Sequence, residues 1–164
     1  PFKIKDLYRK KECQLDTTLD EDGRIKMIAR SAMDEKWVDE IGEVEGDVLV
    51  VIEGLTMYLS ESDVKKILDI ISGHFSNNNV TLFIEFMSPF VVKRIKEKSI
   101  DQSGAKFTWG ASSGKEIAAL SEKISFVEDK SLVEGMQVMY PVYKVIGKIK
   151  PVRNISNKIA VLKK

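Results

Sequence analysis

The sequence predicts an α/β protein, a sheet layered with helices, and three observations carry that expectation. Two apolar runs, V-L-V-V-I at Val48–Ile52 and V-T-L-F-I-E-F at Val80–Phe86, read as buried strands of the kind found in a parallel sheet. Between them Val64, Ile67, Leu68 and Ile71 repeat at the i, i+3, i+4, i+7 spacing of an amphipathic helix. Strand and helix patterns then go on alternating, as right-handed crossovers between layers require. A chain of 164 residues suits one domain, 1–164, with enough length for a sizeable core.

Each element has its own local reason. Residues 2–15 place Ile4, Leu7 and Tyr8 at helical spacing between lysines, and a polar, turn-rich run follows at 16–23. R-I-K-M-I-A at 24–29 alternates and predicts a short strand. Residues 34–41 predict a brief helix with Asp34 as cap and Trp37, Val38 and Ile41 on one side. Val48–Ile52 is expected to be covered on both faces and to end at Glu53-Gly54. Ser60 with Asp63 forms a capping-box pair ahead of the next helix, which Gly73 and Asn77-Asn78-Asn79 stop. Pro89 belongs in the first turn of a helix reaching about Lys98, and 99–110 is a loop carrying Phe107 and Trp109. Ser113 and Glu116 form a second capping-box pair, for a helix to about Lys123. A strand is expected at 124–127, irregular chain at 128–141, weak periodicity at 143–149 and a last strand at 158–162.

Composition narrows the function classes. The 26 basic and 25 acidic side chains leave a net charge of +1, which supplies no global field for nucleic acid or membrane. The basic end of the chain, with Lys144, Lys148, Lys150, Arg153, Lys158, Lys163 and Lys164, reads as a strand edge guarded by lysines; an acidic ligand is the other reading. Cys13 is the only cysteine and His74 the only histidine, so neither an internal disulfide nor a Cys/His metal cluster can form, which fits a reducing cytoplasm. No apolar run approaches a membrane span. G-x-G-x-x-G, Walker and G-x-S-x-G sequences are absent, and the glycine-rich stretch 110–114 is a weak phosphate-loop candidate.

In layered α/β sheets ligands sit beyond the carboxyl ends of the strands. Two segments fall there, 30–34 and 53–58. Glu53 can accept hydrogen bonds from a ligand ammonium or hydroxyl, or from loop amides, and position alone leaves both open. Gly54 permits a close backbone approach, or is an ordinary turn glycine. Tyr58 can cover a ligand, orient a substrate, or pack. Ser31 and Asp34 can bond a base edge, with helix capping the commoner use of Asp34. Glu85 is a charge inside an apolar strand, near the mouth of such a site or at a strand end; Phe107 and Trp109 line a pocket or pack the core.

One stretch is more specific. V-L-V-V-I-E-G-L-T-M-Y-L at 48–59 resembles the hallmark of the leucine carboxyl methyltransferase and tetracenomycin-type polyketide O-methyltransferase family, an apolar strand followed by E-G-x-x-M-Y-L. R-I-K-M-I-A-R-S-A-M-D-E-K-W at 24–37, F-I-E-F-M-S-P at 83–89 and F-T-W-G at 107–110 are similar to family segments in the same order. The resemblance implies a Rossmann-like class I methyltransferase sheet with helices on both faces, whose last strands include an antiparallel one. It implies S-adenosylmethionine as cofactor and a small-molecule carboxylate or hydroxyl, polyketide-like in the bacterial relatives, as methyl acceptor. Carried over by position, Glu53 and Gly54 would meet the methionine end of the cofactor. Ser31 (an aspartate in some relatives) and Ala32 would lie at the adenine with Asp34 beside it, and Tyr58 would stand on the substrate side. Tyr58 and Glu85 are the nearest candidates for a catalytic group, although a sulfonium-activated methyl needs positioning more than acid–base help. The resemblance also implies that this is the C-terminal portion of the domain, lacking the first two strands. Pro1 matches the proline of the family's D-L-P, and the glycine-rich turn would precede it. The edge of Val48–Ile52 would then be open, inviting a second copy of the chain. Missing cofactor sequence equally fits a non-catalytic scaffold or partner-binding domain that kept the fold.

Overall fold

The computed structural model describes residues 26, 28–94, 105–140, 145, 149 and 156–164. The chain divides into two compact units, Pro1–Arg30 and Ser31–Lys164, and all the described helices and strands belong to the second. In order these are α1 (Lys36–Ile41), β1 (Val48–Ile52), a 3-10 turn (Thr56–Tyr58), α2 (Glu61–His74), β2 (Val80–Phe86), α3 (Pro89–Arg94), α4 (Gly114–Ala118), β3 (Ser125–Ser131), α5 (Leu132–Met139) and β4 (Lys158–Lys163). The predicted helix at 2–15 lies outside the described residues, as do most of 24–29 and of 143–149; Lys26, Ile28 and Ala29 carry no strand.

The strands form one mixed sheet in the order β1-β2-β4-β3. β1 runs parallel to β2, with Val50 opposite Leu82 and Ile52 opposite Ile84. β4 inserts antiparallel between β2 and β3. The α/β expectation holds, and among the described strands β1 stands at one end of the sheet. Lysine-guarded edge chemistry does not describe β4, which has a partner on each side. Of the basic end residues described, Lys164 caps α2: its ammonium donates to the carbonyls of Phe75 (2.9 Å) and Ser76 (2.6 Å), where the helix leaves acceptors unpaired.

Alternation along the strands separates two faces. Val80, Leu82, Ile84 and Phe86 turn to one side and meet Val64, Ile67, Leu68 and Ile71 of α2, with Ile117 of α4 and Ala160 and Leu162 of β4 completing that core. On the other face Leu49 and Val51 are 60% and 61% exposed. The expectation that β1 is covered on both faces is therefore corrected: its apolar run reads as a doubly buried strand, but no described element lies over Leu49 and Val51.

Helix ends account for the other differences. The first capping box forms as predicted: Asp63 N–H donates to the Ser60 hydroxyl (3.2 Å) and Ser60 N–H to the Asp63 carboxylate (3.0 Å). Gly73 does not stop this helix, which ends one residue later with Phe75 as cap. At α4 the second box does not close. Ser113 makes no side-chain cap bond, Glu116 instead accepts the Ser112 N–H (2.9 Å), and the Asp129 carboxylate of β3 accepts the Gly114 N–H. That carboxylate also removes the stretch 110–114 as an anion site, because a negative charge already fills the end of the helix. α4 stops at Ala118 rather than near Lys123, and the chain expected to be irregular at 128–141 is the end of β3 followed by α5. Pairing with β4 supplies what the charged run F-V-E-D-K-S lacks in strand propensity.

The first box gives a test. Removing the Ser60 hydroxyl leaves orphan donors at the start of α2, so Ser60→Ala is expected to lower stability by about 1 kcal/mol. The Ser60 side-chain and backbone bonds hold Asp63 below its ordinary 3.8. A lowered carboxylate favours the folded state above 3.8, and the benefit disappears as pH falls through the lower folded value. Urea unfolding of wild type and Ser60→Ala should therefore differ at pH 7, and the difference should narrow in more acidic buffer.

Candidate functional site

The loop that leaves β1 is built from residues that fix its backbone and leave one acid free. Glu53 follows directly on Ile52, is exposed, and its carboxylate accepts no hydrogen bond from the described residues. Gly54 takes φ +64, a left-handed conformation that side chains disfavour, and a Cβ there would meet open space. Its N–H donates to Glu85 Oε2 at 2.9 Å. Thr56, 1% exposed, donates its hydroxyl to the Glu85 carbonyl at 2.6 Å. Met57 is buried beside it.

The far side of the loop is tied to 107–109. Met57 O accepts the Thr108 N–H at 2.8 Å, and Leu59 O accepts the Thr108 hydroxyl at 2.8 Å. Trp109 packs on the core and donates its indole N–H to Glu61 Oε2 at 3.3 Å. The Tyr58 and Phe107 rings lie 5.4 Å apart between centroids, tilted by 40°, within the range of a favourable aromatic pair. Tyr58 keeps 36% of its surface exposed. Of the two loop aromatics singled out in the sequence, Phe107 therefore joins Tyr58 and Trp109 serves the core.

The second segment is a tight turn. Ser31 O accepts the Asp34 N–H (2.9 Å) and Ser31 Oγ accepts the Met33 N–H (3.3 Å). Ala32 O accepts the Trp37 indole N–H (3.0 Å). Asp34 Oδ1 accepts the Lys36 N–H (3.0 Å) in a local turn, but the helix is capped one residue later, by Glu35 with no side-chain cap bond, so the expectation of Asp34 as the cap is corrected. Ala32, Met33 and Trp37 pack on the same core cluster as Ile52 and Leu55, so both candidate segments rest on one foundation.

The arrangement separates the two glutamates. Glu53 is open to a ligand, whereas both carboxylate oxygens of Glu85 are engaged, Oε2 by Gly54 and Oε1 by the Asn157 side-chain amide at 2.7 Å. Asn157 was not legible as a site residue, since nothing in its surroundings marks it and it stands 72 positions from its partner. Among the described residues no group of His, Cys, Asp and Glu could hold a metal ion. No described helix is long and apolar enough to cross a membrane. A 610 Å³ groove between α1 and α2, lined by Val38, Lys66 and Ile70 among others, contains none of the residues of either loop.

The chain is 28% identical over 109 residues to the S-adenosyl-L-methionine-dependent methyltransferase dpfgK of Gibberella zeae, a match covering 63% of this chain and 37% of that protein. It is 28% identical over 125 residues to the tetracenomycin polyketide synthesis O-methyltransferase TcmP of Streptomyces glaucescens, covering 74% of this chain and 45% of that protein. The chain thus spans less than half the length of these relatives. No family model matches it. No solved structure matches it.

Proposed function

We propose that this chain is the C-terminal portion of an S-adenosylmethionine-dependent O-methyltransferase, and that its two loops form the cofactor-facing rim of that enzyme. The observation that carries the reading is Glu53: an exposed carboxylate without a protein partner, at the C-terminal end of a parallel strand, beside a glycine turn with open space over it. The similarity to two methyltransferases supports it, and so does the strand order β1-β2-β4-β3, with one antiparallel strand inserted near the end of the sheet. In a Rossmann-like methyltransferase sheet, the outer edge of β1 would face the strands that carry the glycine-rich turn and the ribose acid.

The residues present fit a ligand with a cationic amino-acid end. Glu53 would accept from the methionine ammonium, and Gly54 would let that end approach the backbone. Ser31 and Ala32 would border the adenine, with Asp34 holding their turn to α1. Bound S-adenosylmethionine supplies a methyl group already activated on a sulfonium, so the protein's part is orientation. Tyr58, backed by Phe107, would face the acceptor, a small carboxylate or hydroxyl compound of polyketide type. A cytoplasmic enzyme fits the single cysteine.

Calorimetric titration of S-adenosylhomocysteine into the 164-residue chain tests the reading. Micromolar binding that Glu53→Ala weakens at least about tenfold, the loss that goes with a charge-assisted hydrogen bond, would support Glu53 as the cofactor contact, whereas no binding from a chain that melts cooperatively would favour a portion that binds poorly without the rest of the site, or the scaffold. One observation favours a second reading: the bare face of β1, with Leu49 and Val51 exposed, suits a contact surface. A domain that kept the fold and lost the site would use that edge to hold a second copy. It would melt cooperatively and take up no S-adenosylhomocysteine.

A further inference from the structure

Glu85 stands next to the last residue of β2, yet its contacts reach two distant parts of the chain. Oε2 accepts the Gly54 N–H at 2.9 Å, the carbonyl accepts the Thr56 hydroxyl at 2.6 Å, and Oε1 accepts the Asn157 amide at 2.7 Å. Asn157 immediately precedes β4, whose Ile159 pairs with Glu85 in the sheet. The exit of β1, the end of β2 and the entry of β4 are therefore knotted at one carboxylate. The knot matters most at Gly54, whose φ of +64 comes with no side chain to hold it. A backbone N–H bound to an ionised carboxylate is among the stronger hydrogen bonds available to a turn. Asn157 complements it. Its NH₂ is the end that can face Glu85, and by engaging Oε1 it leaves Oε2 directed at Gly54.

We propose that Glu85, oriented by Asn157, is a positioning residue that holds the Gly54 turn and through it keeps Glu53 at the ligand-facing rim. The role rests on the reading of Glu53 as a cofactor contact. It also explains why a charged side chain occurs in an otherwise apolar strand without any need for it to move a proton.

A reciprocal exchange tests the pair. Glu85→Gln keeps one carbonyl for two donors, so one of them faces an amide nitrogen instead. Asn157→Asp brings two carboxylates together at the 2.7 Å contact. In the double variant the glutamine carbonyl can accept from Gly54 while its NH₂ donates to the introduced carboxylate, restoring both bonds. Gly54 amide exchange by NMR, S-adenosylhomocysteine affinity by calorimetry and melting temperature are measured on the full chain. Each single variant should speed Gly54 exchange and weaken affinity by about tenfold, with the double recovering to within about threefold of wild type. Asn157→Ala, which only deletes the orienting amide, gives the same direction if the harsher variants do not fold.

Faster Gly54 exchange with unchanged affinity would overturn the positioning role, since a merely structural bond moves exchange and melting alone. Unchanged Gly54 exchange in the singles would overturn the contact itself, and a folded double variant without recovery would overturn the pairing. If wild type binds no S-adenosylhomocysteine, the cofactor reading falls and takes the positioning role with it. The Gly54 exchange pattern would then still report whether the contact exists.

Discussion

Phe86→Ala is expected to cost about 3–5 kcal/mol, a large part of the roughly 5–15 kcal/mol that holds a natural domain folded. Phe86 is 1% exposed and among the largest side chains fully enclosed in the core. It closes the row Val80, Leu82, Ile84, Phe86 that β2 turns toward α2. Truncation removes the transfer energy of the ring and leaves a cavity that neighbouring strand backbones, fixed by pairing with β4, cannot fill. Urea unfolding should show a lower midpoint with an unchanged slope. Phe86→Leu, which retains most of the volume, should recover much of the loss. The effect would extend to the site, because strand alternation places Phe86 in the core and its neighbour Glu85 on the opposite face, against the Gly54 turn.

The contrast between those two neighbours shows what the sequence makes legible. Burial patterns are local, so V-T-L-F-I-E-F announces its strand, and Ser60 with Asp63 announces the start of α2, from residues within reach of one another. β1 misleads because an apolar run reports which residues avoid water, not whether a covering layer is present; Leu49 and Val51 are exposed all the same. β3 runs further than its pattern predicts, and α5 has no clear signal, because the pairing that stabilises E-D-K-S comes from β4, about thirty residues further along. Glu53, Gly54 and Tyr58 can be singled out by their place after a strand. Glu85 can be seen only as an anomaly, because its explanation is Asn157, which the fold brings in from a distance. The bond from Asp129 to Gly114 escapes for the same reason, and Ser113 with Glu116 offers a plausible local substitute.

That last bond sets up the second large effect, at a glycine required by crowding rather than by its backbone angle. A Cβ on Gly114 would lie 2.5 Å from Asp129 Oδ1, 2.6 Å from Ala160 Cβ and 3.0 Å from Phe126 Cε2. The aspartate can swing aside only by releasing the Gly114 N–H, which donates to its two oxygens at 3.0 and 3.2 Å. Ala160 cannot give way at all, since it is itself fully enclosed and its Cβ is fixed to the backbone of a strand paired on both sides. Gly114→Ala must therefore push α4 off the sheet, and overpacking of this kind costs about 1–3 kcal/mol, with about 1 kcal/mol more from the lost cap. Gly135, exposed within α5 and with nothing within 4 Å of where a Cβ would stand, is the matched control. There alanine should stabilise by roughly 0.5–1 kcal/mol, because it narrows the freedom of the unfolded chain at no steric cost. Urea midpoints moving in opposite directions for the same substitution would show that packing decides the outcome at Gly114. If Gly114→Ala also stabilises, α4 does not sit against β4 as described.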